Sequence, residues 1–187
     1  MKCKNCNRKA DTGLAHLGPL CKGCFCKTVE KRIRRYVRIN KIFKKNDRIL
    51  IDDRLCLFLI KSIIKDLPVN IFFRKNADKR FIIRNKINKV VVPWTVDDEI
   101  SLFLEGVFSG RIERGLLKGK GKEIKLLKNI TDKEAVLFAR FKGIEFKANK
   151  KKEDIAEFLN ELESKYPETR FSLMKSVEEL EGINKAL

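Results

Sequence analysis

The sequence predicts an α/β fold, a parallel sheet flanked by helices, with a small cysteine knuckle in front of it. Three observations carry this. Short β-branched or apolar runs alternate with longer amphipathic stretches, the pattern of strand–helix–strand units. Two Cys-x-x-Cys pairs, Cys3/Cys6 and Cys21/Cys24, stand fourteen residues apart at the N-terminus. The 187 residues, 43% of them hydrophobic, suffice for one sizeable core plus such an appendage. The expected organisation is a knuckle over 1–26, a basic linking helix over 27–45 and an α/β domain over 46–187.

The knuckle comes first in the chain. Five of the six cysteines lie in the first 26 residues. Two residues between cysteines let both sulfurs turn onto one ion, and two such pairs complete a tetrahedron at Zn–S of about 2.3 Å. Cys3, Cys6, Cys21 and Cys24 are the expected Zn²⁺ ligands. Tetrahedral S4 suits iron–sulfur chemistry as well. So short a segment buries little apolar surface, so metal binding would supply its folding energy. Residues between the pairs read as polar or loop-forming. Cys26 and His16 compete for a ligand place, but Cys26 reads as a small hydrophobe at a helix start and His16 as a loop residue. Cys56 sits in the apolar run 55–60 and reads as core.

"KTVEKRIRRYVRINKIF" (27–43) places Val29, Ile33, Tyr36, Val37 and Phe43 at helical spacing. On the opposite face Lys31, Arg34, Arg35 and Arg38 form one positive stripe. "RILI" (48–51) and "VNIFF" (69–73) read as strands, with a buried helix within "DRLCLFLIKSIIKDL" between them. "NKVVVPW" (88–94) is a strand that Pro93 closes. Thr95 and Asp98 form a capping-box-like start, followed by the stripe Ile100, Phe103, Leu104, Val107 and Phe108. Asp97, Asp98 and Glu99 read as first-turn acids that suit the helix dipole. "GLLKGKGKE" (115–123) is a flexible basic loop, and "IKLL" (124–127) a strand. Thr131 and Glu134 open a helix that Gly143 ends. Two amphipathic segments broken near Pro167 close the chain.

Net charge is +18 and unevenly placed. Residues 1–50 hold fifteen Lys and Arg against three Asp and Glu, whereas residues 151–187 hold six against nine. Such asymmetry points first to nucleic acid. The stripe Lys31, Arg34, Arg35 and Arg38 is the expected phosphate track, and Arg111, Arg114, Lys118, Lys120 and Lys122 the expected second RNA contact. No stretch approaches the twenty or so apolar residues of a membrane span, and no apolar signal region precedes Cys3. The expectation is a soluble cytoplasmic protein with no membrane partner.

The order of these pieces resembles a known family. A Cys-x-x-Cys, then "LCKGCF", a charged helix and "KNDRILI" resemble the front of the tRNA wobble-uridine 2-thiolases of the PP-loop ATP pyrophosphatase superfamily. "TVDDEISLFLEGVFSGRIERGL" is similar to the family's double-Asp helix. "KLLKNITDKEAVLFARFKGIEF" is similar to its late strand–helix unit, and "FLNELESKYPETRFSLMKSVEEL" to its C-terminal helices. The resemblance implies a truncated PP-loop-like sheet behind a zinc-ribbon knuckle.

The departures matter as much. Family catalysts carry Ser-Gly-Gly-x-Asp-Ser after the first strand, where backbone amides cradle ATP phosphates. Here the place reads "ILIDDRLCLF", and Asp52 and Asp53 would repel a polyphosphate. The double-Asp segment follows "VPWT" rather than Gly-His-Asn. The region between "VNIFF" and "VVVPW" lacks the family's further Cys-x-x-Cys, no cysteine follows Cys56, and the C-terminal zinc knuckle is missing. Sulfur transfer needs a thiolate or cluster. The resemblance therefore implies a degenerate, non-enzymatic member: a subunit that binds tRNA and supports a catalytic PP-loop thiolase subunit. The alternative is a free-standing zinc-ribbon nucleic-acid-binding protein. An enzyme with a rebuilt ATP site is a weaker third reading.

Overall fold

A computed structural model describes residues 1–110 and 123–186. The chain divides into two compact units. One holds Met1–Lys27 together with helices α4 (Val96–Phe108), α6 (Glu153–Lys165) and α7 (Thr169–Ala186); the other holds Thr28–Thr95 and the late strand–helix pair.

The second unit is built on a four-stranded parallel sheet of β3 (Arg48–Ile51), β4 (Asn70–Phe73), β5 (Lys89–Thr95) and β6 (Glu123–Leu127), in the order β4-β3-β5-β6. Parallel strands need crossovers, and helices α2 (Arg54–Ile63) and α3 (Lys79–Arg84) supply the first two. Ile49, Ile51 and Val91 of the central strands are fully buried, as are Leu55, Leu59 and Ile60 of α2. That continuous apolar character is what a sheet covered by helices requires. Asp47 anchors the entry to β3. Its carboxylate takes Lys89 Nζ at 2.7 Å, the Lys44 N–H at 2.7 Å and Asn88 Nδ2 at 3.0 Å.

Pro93 does not close β5. The strand runs on to Thr95, and its pairing with β6 slips between Val92 and Thr95. A residue with no N–H is accommodated at such an irregularity. Helix α5 (Asp132–Lys142) starts with the expected reciprocal cap. Thr131 Oγ1 accepts from the Glu134 N–H at 3.2 Å, and Glu134 Oε2 accepts from the Thr131 N–H at 2.9 Å. Gly143 ends it at φ +68, a left-handed conformation that glycine adopts without a Cβ clash.

Helix α1 (Lys22–Ile39) begins before the expected position 27, so Cys24 and Cys26 lie on it. Val29, Ile33 and Val37 are buried, Tyr36 half-buried. Arg32 reaches the Glu134 carboxylate and the Asn129 carbonyl, and Lys142 pairs with Glu30 at 2.8 Å. These two links fasten α1 to the start and the end of α5.

In the first unit, β1 (Thr12–Leu14) and β2 (Gly18–Leu20) form an antiparallel hairpin between the cysteine pairs. The loop reading is corrected here: three-residue strands are too short to display alternation. Val96, Ile100 and Leu104 of α4 pack with Ile155 and Leu159 of α6 and Met174 of α7. No helix among the described residues is long and apolar enough to cross a membrane.

Candidate functional site

The four predicted cysteines come together. Their sulfurs all lie within 4.8 Å of one another, and Cys6 Sγ stands 3.5 Å from Cys21 Sγ. The local chain explains how. Asn7, at φ +59, turns the segment after Cys6, and its N–H returns to the Cys3 carbonyl at 3.0 Å. The Lys4 N–H bonds the Pro19 carbonyl at 3.0 Å, which lays the first turn against β2. β2 then delivers Cys21 to the start of α1. There its sulfur accepts from the Cys24 N–H at 3.5 Å, while Asp11 Oδ2 accepts from the Lys22 N–H at 2.7 Å.

The thiols are not independent. Burial pushes Cys3 up, but backbone hydrogen bonds at Cys21 and Asn5 outweigh it and bring the thiol to about 6. Cys21 is lowered, first by its backbone bond with Cys24. Cys24 is pushed up to about 12, first by its side-chain contacts with Cys6 and Cys21. Thiolates this close resist a further negative charge unless a cation joins them. A tetrahedral ion with Zn–S of about 2.3 Å sets its sulfurs roughly 3.8 Å apart. The observed cluster fits one such ion. Cys26 is buried outside the set, and the His16 ring packs edge-on against Phe171 at 5.0 Å.

The α1 stripe is exposed along its length at Lys31, Arg34, Arg35 and Arg38. None of the four forms an ion pair among the described residues, and Glu30, the one acid on this helix, is held by Lys142. The other predicted cations, Arg111, Arg114, Lys118, Lys120 and Lys122, lie outside the described residues.

Strand order reverses between β3 and β5, and ligands of open parallel sheets bind outside the carboxyl ends of the strands at such a point. A cleft of about 290 Å³ lies there, lined by Asp52, Asp53, Arg54, Lys75, Glu145 and Lys147 among others. Asp53 caps α2 from an extended backbone (φ −114, ψ 138), its Oδ1 accepting from the Cys56 N–H at 2.8 Å. Burial pushes the Asp52 carboxyl above its ordinary value, and the neighbouring Asp53 charge adds to this. Arg54 pairs with Glu145 at 3.4 Å.

The first-turn acids of α4 are not a solvated dipole ornament. Asp97, Asp98 and Glu99 are all buried. Asp97 pairs with the buried Arg170, which also meets Asn160 Oδ1 at 2.8 Å; Asp98 takes Lys151 at 2.7 Å and Asn149 at 3.1 Å. Sequence reasoning missed this network. The only local signal was the position of Arg170 within an otherwise amphipathic helix.

No protein-family model and no curated protein matches the chain. Among solved structures it is similar to the U34-tRNA thiolase NcsA from Methanococcus maripaludis, solved with its 4Fe-4S cluster. The TM-score is 0.78 at 15% identity, over 97% of this chain and 87% of that one. The likeness is one of fold: this chain shares the overall architecture of that structure.

Proposed function

We propose that this chain is a non-catalytic, cytoplasmic subunit in tRNA wobble-uridine 2-thiolation. It holds tRNA and supports a separate PP-loop thiolase subunit, which activates the uridine with ATP and delivers sulfur. The observation that carries this is the β3–α2 turn, where the chain's own Asp53 occupies the helix start that a phosphate cradle would use. The thiolase-like fold and the exposed cation stripe on α1 support the tRNA half of the reading. Zinc is the metal we assign to Cys3, Cys6, Cys21 and Cys24. A four-iron cluster puts each thiolate on a different iron, whereas these sulfurs sit close enough to share one ion. Bound there, the ion neutralises thiolate charge and fixes the knuckle.

Phosphate contacts release counterions, so tRNA affinity should fall with salt at a log–log slope of roughly −3 to −4 for four contacts. Changing Arg34, Arg35 and Arg38 together to Ala should weaken binding and flatten that slope while the fold survives, because all three are exposed. An unchanged affinity and slope would remove the helix as the phosphate track. Co-purification with a PP-loop thiolase from the same cell separates the subunit reading from a free-standing nucleic-acid-binding protein.

A further inference from the structure

The stretch 74–86, "RKNADKRFIIRNK", belongs to neither the knuckle nor the α1 stripe. It carries six cations and one acid. The acid is already used: Asp78 Oδ1 accepts from the Phe81 N–H at 2.8 Å and caps α3. Lys75 faces Asp52 in the cleft. The other five cations, Arg74, Lys79, Arg80, Arg84 and Lys86, are exposed and form no ion pair among the described residues. At about 100° per residue, Lys79, Arg80, Ile83 and Arg84 fall within an arc of about 140° on α3. Ile83, in the middle of that arc, is 75% exposed.

The other side of α3 is anchored. The Phe81 ring meets Phe72 of the edge strand β4 edge-on at 6.2 Å, and the Arg74 guanidinium lies 4.6 Å from the centre of the Phe81 ring. The surface thus combines exposed cations that form no ion pair among the described residues, an exposed aliphatic side chain and a guanidinium held on an aromatic ring. Duplex nucleic acid would use only the cations, because its bases are stacked inside. Single-stranded RNA offers phosphates and free base faces together, and bases stack on guanidinium planes as well as on rings.

We propose that α3 and the Arg74–Phe81 pair form a second RNA-binding face, one that takes single-stranded RNA. Phosphates lie along Lys79, Arg80, Arg84 and Lys86, and bases rest against Ile83 and Arg74. The proposal rests on the reading that this chain binds RNA, and adds to it the kind of RNA and a separate surface.

The test uses the full chain with a short single-stranded RNA, the same strand annealed to its complement, and tRNA, followed by fluorescence anisotropy across a salt series. The triple variant Arg80→Ala, Arg84→Ala, Lys86→Ala should lose at least about tenfold in single-strand affinity, with the slope flattened by about 2. Arg74→Lys keeps the charge and should weaken single-strand binding several-fold at an unchanged slope. Removing two exposed charges at the end of α2, Lys61→Ala with Lys65→Ala, should change affinity less than twofold. Thermal melts confirm that each variant is folded. Wild-type single-strand affinity and slope in the triple variant would overturn the proposal, whatever the α1 variant does to tRNA. Binding to phosphatidylserine vesicles but not to RNA would also overturn it. If wild type binds the single strand but not tRNA, the thiolation reading fails and this face stands.

Discussion

At the start of α1 the Cys21 sulfur accepts from the Cys24 N–H at 3.5 Å; at the start of α2 the Asp53 carboxylate accepts from the Cys56 N–H at 2.8 Å. Both place a side-chain acceptor on orphan N–H groups, and both spend the favourable end of a helix. The consequences differ. Cys21 is one of four crowded sulfurs, and the helix alone does not balance them, so the site calls for a cation. Asp53 is balanced by the helix it caps, and Asp52 stands beside it. The knuckle therefore gathers four donors that could hold an ion, while the α2 start is capped by the chain's own Asp53. A helix start becomes a binding site only when the chain does not fill it first.

The largest expected effect is at the cysteine set. Purified wild type in reducing, chelator-free buffer should carry one zinc per chain, and Cys6→Ser or Cys24→Ser should carry none. Structural zinc sites are worth about 10 kcal/mol or more, so hydrogen-exchange protection of residues 1–27 should vanish while β3 and β5 stay protected. Elemental analysis that finds no metal in wild type would remove the contrast at its source.

A third helix start sharpens the comparison. At α4, Asp97 and Asp98 are paired with cations distant in sequence. Arg170→Ala breaks the buried Asp97–Arg170 ion pair, at a cost of about 3–5 kcal/mol in urea unfolding. A loss below 1 kcal/mol would make these acids mere dipole partners.

The capped turn predicts smaller effects. Asp53→Ala should cost about 1 kcal/mol through the lost cap, and Asp53→Asn much less. Asp52 behaves oppositely. Its folded carboxyl titrates above the unfolded one, so the folded state holds the proton longer and this group subtracts stability as pH rises through that range. Asp52→Asn should therefore stabilise slightly at neutral pH, with the gain disappearing in acid. A gain that persists at low pH would assign it to something other than charge.

Much of this was legible in sequence because its causes are local. The spacing of Cys3, Cys6, Cys21 and Cys24 names the sulfur cluster without the fold. β-Branched runs mark β3 and β5, and Thr131 with Glu134 announces α5. What escaped depends on long-range partners or on short elements. Burial of Asp97 needs Arg170, and burial of Asp98 needs Lys151, neither near in sequence. The hairpin strands span three residues each, and α3 has six residues with none buried, so neither leaves a periodic trace. The role of Asp53 as a cap rather than only a repelling charge needed the extended φ and ψ at that residue.

The central claim is that the β3–α2 turn is closed to phosphate in this chain. Isothermal calorimetry of the isolated full chain with Mg-ATP tests it most directly. No measurable binding is expected, with the knuckle loaded or stripped, because Asp53 holds the α2 start in either state. Micromolar binding, worth about 8 kcal/mol, would contradict the account and reopen the reading of a rebuilt ATP site.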